Sequence, residues 1–150
     1  MNILKKTKDK SMKILTGIPV SQGRVNQKPA VIINSSEEFD KMEGKKNVIL
    51  VVKNFDPNYD QLLPQCAGVV SELGNILCHL AIVSRIYNKP AIVNAKDATK
   101  KVRDGQIVSL DAFEGALYNG KYKVSEKQIN AELKDLDQFL KDSDQNEAHN

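Results

Sequence analysis

The sequence predicts an α/β domain, and three observations predict it. The apolar runs NVILVV (Asn47–Val52) and AGVVSE (Ala67–Glu72) do not alternate, as strands covered on both faces do not. Short helical segments with their own start and stop signals fall between such runs. A chain of 150 residues, 41% hydrophobic and without tryptophan, is long enough for one domain with an aliphatic core.

The elements follow in order. ILTGIPVSQGRV carries turn residues at Gly17, Pro19 and Gly23 between short apolar runs, which predicts strands broken by tight turns. Ala30–Ile33 (AVII) is a short buried strand. Ser35 and Glu38 have capping-box spacing and open a brief helix that Gly44 closes. NVILVV is the strongest strand. Asp56 followed by Pro57 is a helix start, and Pro64 keeps that helix short. After the strand AGVVSE, residues 78–87 form a helix that Asn88 ends in the left-handed conformation and Pro90 stops. PAIVN is a strand, Asp97 caps a helix of one or two turns, and QIVSLD and GALYNG form a final strand pair joined through residues 113–115. From Ser125 the character changes. Ile129, Leu133, Leu136 and Leu140 form a narrow apolar stripe at helical spacing, so a C-terminal amphipathic helix is expected to dock on the parent domain. The polar end that follows, with His149, carries no chemistry. The expected organisation is a basic tail at 1–13, a domain at 14–122, and the helix with its tail at 123–150.

Charge and cysteine content exclude several classes. The net charge is +3, and much of the basic excess lies in Lys5, Lys6, Lys8, Lys10 and Lys13 of the opening segment. A nucleic-acid surface wants a basic stripe on a folded face with aromatics between, so no nucleic-acid partner is expected. Two cysteines, Cys66 and Cys78, with no CxxC and no histidine at ligand spacing, give neither a disulfide framework nor a metal site. Ile3 and Leu4 run at once into lysines, unlike a signal peptide, and no apolar run reaches the ~20 residues a membrane span needs. A cytoplasmic protein without a membrane partner is the expectation.

The stretch GNILCHLAIVSRIYNKPAIV (Gly74–Val93) raises the functional question. Its histidine, His79, is one of two in the chain. On a helical wheel Ile82, Val83 and Ile86 surround its direction, which places it in the buried stripe as a core residue. Its place in the first turn argues otherwise. Helical side chains lean toward the N-terminus, so the ring can project past the helix end. There the unpaired backbone N–H groups and the helix dipole form an anion site and disfavour imidazolium. With a reference pKa of ~6.5, such a histidine is expected to be neutral near pH 7 and able to attack phosphorus. The dipole is worth only ~0.3–1 kcal/mol, which can hold a phosphoryl group but cannot drive its transfer. Transfer also needs cations on the phosphate oxygens, and Arg85 lies two turns away on another face.

GIPVSQGRV, NVILVVKNFDPNY, the stretch CAGVVSELGNILCHLAIVSRIYNKPAIVNAKDAT and VRDGQIVSLDAFEGALY resemble, in order and spacing, the mobile phosphohistidine domain of phosphoenolpyruvate-utilising enzymes. The family includes phosphoenolpyruvate synthases, pyruvate–phosphate dikinases and rifampin-type phosphotransferases. The resemblance covers roughly residues 14–118. It implies a three-layer swivelling β/β/α domain carrying a phosphoryl group between an ATP-grasp nucleotide-binding partner and a phosphoenolpyruvate/pyruvate barrel with bound magnesium. It puts His79 on the phosphorylated histidine and Arg85 on the family's arginine. Gly74 and Asn75 fall on the turn, Cys78 on the Ser/Thr/Cys slot, and Glu72 on the acidic position before the turn. The departures are Asn75 for a second glycine, expected because asparagine tolerates positive φ, Leu77 for a regulatory threonine, Gln27 for a glycine, and Phe55 for a threonine.

Two functions follow. The first is a phosphoryl carrier, a phosphotransferase component on His79 that lacks its own nucleotide and phosphoenolpyruvate domains, binds no cofactor or metal itself, and serves a separate enzyme or is an excised part of one. The second is a non-catalytic binding or regulatory module with a vestigial phosphate site.

Overall fold

A computed structural model describes residues 12–120. Eight strands form one sheet: β1 (Lys13–Thr16), β2 (Ile18–Ser21), β3 (Arg24–Ile33), β4 (Val48–Val52), β5 (Cys66–Ser71), β6 (Ala91–Val93), β7 (Ile107–Asp111) and β8 (Ala116–Asn119). Their order is β1-β8-β7-β3-β4-β5-β6-β2. Two α-helices, α1 (His79–Ile86) and α2 (Ala98–Lys101), and two 3-10 helices, Ser36–Met42 and Pro57–Gln65, complete the described residues.

The long strand β3 joins two regimes. Its second half pairs in parallel with β4, Ala30 opposite Ile49 through Ile33 opposite Val52. Its first half pairs antiparallel with β7. A bulge lies between Val25 and Lys28, and there Gln27 takes a φ of 55°. That is the left-handed region a glycine enters freely, which accounts for glycine being usual at this position in the resemblance. The sequence signal covered only Ala30–Ile33; the bulge and the polar residues before it hid the rest of the strand.

The apolar run of β4 is buried at every position. Val48, Leu50 and Val52 pack on one side with Met42, Tyr59, Leu62, Leu63, Leu80, Ala81 and Val83 from the helices. Ile49 and Val51 pack on the other with Leu15, Val25, Val108, Leu110 and Leu117 from the antiparallel strands, and with Ala98 and Val102. The unalternating pattern thus has its expected cause, two covered faces. An eight-residue helix is not stable alone in water, so α1 exists because Leu80 and Val83 bury an apolar face, roughly 1.5–3 kcal/mol each.

Local signals fare unevenly. Asp56 caps the second 3-10 helix, its Oδ1 accepting from Asn58 N at 2.8 Å, with Pro57 at the first position. Asn88 ends α1 at φ 53°. Ser35, by contrast, makes no side-chain cap; Glu38 Oε1 accepts from Asn34 N at 2.7 Å. Asp97 precedes α2 in the left-handed conformation, φ 59°, and makes no side-chain cap either. Lys13, grouped with the basic tail by charge, opens β1 and pairs with Glu114 at 2.9 Å. The rest of the 1–13 tail, residues 121–122 of the domain, and the C-terminal helix and tail at 123–150 lie outside the described residues. No helix among the described residues is long and apolar enough to cross a membrane.

One corner makes the fold acid-sensitive. Lys41 Nζ donates to Ile32 O and Asp104 Oδ2, each at 2.9 Å, and sits 3.0 Å from Glu38 Oε2, while Asp104 Oδ1 accepts from Ile32 N at 2.7 Å. Burial pushes the Asp104 carboxyl up, but the Ile32 N–H and Lys41 outweigh it and hold the group below its ordinary value. The Asn34 N–H, then Lys41, do the same for Glu38. A depressed carboxyl stabilises the fold above its unfolded pKa and loses that contribution as pH falls through the folded value, so stability should drop below roughly pH 4. Urea melts at about pH 6 and about pH 3 check this, with a smaller drop expected in Asp104→Asn.

Candidate functional site

The site is built where β5 ends and α1 begins, at the carboxyl edge of the parallel strands. The turn is anchored on β4: Glu72 N donates to Val52 O and Leu73 N to Lys53 O, both at 3.0 Å. Gly74 has a φ of 132°, which side chains rarely tolerate. The expectation of positive φ at Asn75 is not met. Asn75 instead folds its side chain over the turn, Oδ1 accepting from Leu77 N at 2.8 Å, an Asx turn that only a short polar side chain makes. Cys78 N donates to Asn75 O at 3.2 Å, closing the turn. Cys78 is the N-cap residue, extended at φ −73° and ψ 167°, with no side-chain cap bond. The helix therefore opens with backbone N–H groups that no side chain caps.

His79 is the first residue of α1, and a third of its side chain is exposed. The buried face of α1 is Leu80, Ala81, Val83 and Ser84. Ile82 and Ile86, expected to share a buried stripe with His79, are 54% and 70% exposed. The helix is apolar around most of its circumference, and the sheet took the side away from His79. Residues 79, 82 and 86 lie on one helical face. The two isoleucines give the histidine an apolar surround on that face, and Leu73, Ile76, Leu77 and Tyr87 are exposed as well.

Two residues hold the ring. Phe55 stacks on it, centroids 6.4 Å apart and planes at 22°. Asp60, from the second 3-10 helix, approaches Nε2 with both carboxylate oxygens, Oδ1 at 2.8 Å and Oδ2 at 3.0 Å. Sequence reasoning missed Asp60. Tyr59, Leu62 and Leu63 are the buried side of that helix, so the pattern leaves Asp60 off the core but says nothing of a histidine 19 residues on.

The other candidates are placed elsewhere. Glu72 Oε2 accepts from Thr99 N at 2.9 Å and from the Thr99 hydroxyl, so it ties β5 to α2. Arg85 Nε donates to Val20 O at 2.6 Å, pinning α1 to the edge strand β2. Cys66 is buried, donates its thiol to Leu62 O at 3.2 Å, and has its pKa pushed up to about 12 by that burial. Two open clefts of about 330 and 440 Å³ lie along the carboxyl ends of the parallel strands and share Asn34 and Lys53; His79 lines neither. Among the described residues no three His, Cys, Asp or Glu side chains gather as a metal site.

A mixed-sheet α/β domain with a part-exposed histidine at a helix start is the class that the fold and the site define. Residues 44–115 match the family model described as PEP-utilising enzyme, mobile domain. Through these residues the chain belongs to that family. It is 34% identical over 113 residues to phosphoenolpyruvate synthase of Aeropyrum pernix, which is 75% of this chain and 14% of that enzyme. It is 37% identical over 101 residues to rifampicin phosphotransferase of Streptomyces sviceus, 67% of this chain and 11% of the other. The chain thus spans about a seventh or less of these two relatives. The fold is shared with Thermococcus kodakaraensis aconitase X, holo-form, at a TM-score of 0.50 and 15% identity, covering 70% of this chain and 96% of that one.

Proposed function

We propose that this chain is a phosphoryl carrier, transiently phosphorylated on His79, that moves phosphate between partner active sites with phosphoenolpyruvate or ATP as the source. The observation that carries it is the one-third-exposed imidazole at an uncapped helix start in a chain of this family. A ring nitrogen attacks phosphorus, and the phosphoryl group it then holds faces backbone N–H donors, a stabilisation of ~0.3–1 kcal/mol that tunes without trapping. Helix α1 and the 3-10 helices on one face of the parallel strands, with the antiparallel strands and α2 on the other, support a swivelling β/β/α reading in which residues 14–122 are the moving body. The partners of this reading are an ATP-grasp nucleotide-binding unit and a phosphoenolpyruvate/pyruvate barrel, and magnesium belongs with them. Gly74, Asn75 and Cys78 shape the histidine's turn. Glu72 and Arg85 support it at a distance through Thr99 and Val20.

The test is incubation with labelled phosphoenolpyruvate or ATP and a family partner, followed by peptide mapping. Acid-labile, base-stable label on the His79 peptide is the expected result, and no label with any partner sinks the reading. The apolar surround supplies a second test. Ile82→Glu should lower partner-dependent labelling roughly tenfold, as loss of an interface anchor does. Its melting should stay within about 0.5 kcal/mol of the parent because the side chain is mostly in water. The alternative, a binding or regulatory module with a vestigial phosphate site, is favoured by one observation: Arg85 is committed to Val20 rather than to the histidine.

A further inference from the structure

We propose that Asp60 is a latch on His79: it holds the ring with Nε2 unavailable, and the carrier becomes reactive only when that contact opens. The inference rests on the carrier reading and adds a control to it.

The chemistry follows from which nitrogen is held. A carboxylate without a proton only accepts, so the hydrogen shared at 2.8 and 3.0 Å belongs to Nε2. A nitrogen bearing that hydrogen has no lone pair in the ring plane to give to phosphorus. An activating carboxylate takes the proximal nitrogen, Nδ1, and leaves the distal one free, as in hydrolytic triads. Here the carboxylate takes the distal nitrogen, the one farther from the helix backbone and better placed to meet a visiting phosphorus atom. Among the described residues Nδ1 has no hydrogen bond to fix the opposite tautomer. Phe55 stacks on the ring and helps keep it turned toward Asp60.

The contact is built to open. About a third of each side chain is exposed, and a pair so placed is weak enough for a docking partner to break. Once the ring swings free, its proton moves through solvent to Nδ1 and leaves the Nε2 lone pair to attack. An Nε2–P bond forms, the bond from phosphorus to the leaving group breaks, and the electron pair departs with that group. The resulting phosphoryl dianion cannot return beside the Asp60 carboxylate, because like charges repel. The loaded ring therefore stays turned outward, toward an acceptor.

The test needs no partner. Phosphoramidate donates a phosphoryl group to histidine directly, ammonia leaving. In a His149→Ala background only His79 can be labelled, and 31P NMR tells Nε2 from Nδ1 adducts. Asp60→Ala and Asp60→Asn should each speed Nε2 labelling, the alanine variant by roughly fivefold, the factor a part-exposed polar pair is worth. The parent should show an Nε2–H proton signal protected from exchange that the alanine variant loses. Equal or slower labelling in both variants, no labelling in any protein, or Nδ1 labelling in the parent overturns the latch. A parent labelled by its partner but not accelerated by either substitution keeps the carrier and loses the latch; accelerated variants with no enzymatic labelling keep the latch and lose the carrier.

Discussion

His79→Ala abolishes phosphorylation: acid-labile label from phosphoenolpyruvate or ATP plus a partner falls to background, a loss of more than about a hundredfold. The size follows from chemistry rather than affinity. Removing the ring removes the atom that forms the bond to phosphorus, and no neighbour replaces it. Cys66 is buried with its thiol pKa pushed up to about 12, far from the thiolate a nucleophile needs. Cys78 precedes the histidine by one residue and diverges from it by about 100°. The fold should survive, because the lost contacts are one stacked ring and one part-exposed pair, together about 1 kcal/mol. Circular dichroism and melting check that the variant is folded, while His149→Ala should keep its label. Label retained in His79→Ala moves the chemistry to another residue.

Gly74→Ala is expected to cost on the order of 3 kcal/mol and to lower labelling in what remains folded. Gly74 has a φ of 132°, and a Cβ there would lie 3.1 Å from Cys78 Sγ and 3.1 Å from Val93 Cβ. Val93 is fully buried in β6, so it has nowhere to retreat. Strain and overpacking add, and relief by shifting the turn would move Cys78 and with it the start of α1. Gly105→Ala is the comparison. Its φ is 80°, but nothing lies within 4 Å of the added carbon, so the cost should be only about 1 kcal/mol. Urea midpoints of the two variants read the difference directly; equal losses would mean that backbone strain alone matters at Gly74.

Much of the fold was legible because its cues act over a few residues. The β4 run announces two covered faces. Asp56 with Pro57 starts a helix, Asn88 ends one, and both act through their own backbone. The placement of His79 at the start of α1 follows from the same punctuation. Where two local solutions competed, the sequence was ambiguous. Ser35 and Glu38 have cap spacing, yet Glu38 found the Asn34 N–H and Lys41 instead. Asn75 has the right residue type for positive φ, yet satisfied Leu77 N with its side chain.

The sequence by itself determined most of the elements, part of their punctuation and the family, because those depend on periodicity, turn chemistry and order along the chain. Tertiary structure decided which side of α1 is wet, since a helix apolar nearly all round cannot choose its own partner layer. It also decided that His79 meets Asp60 across 19 residues, Glu72 meets Thr99 across 27, and Arg85 meets Val20 across 65. Such pairings leave no trace in local spacing. They arise only when the sheet brings its strand ends together and each polar group takes the nearest partner that offsets its lost water.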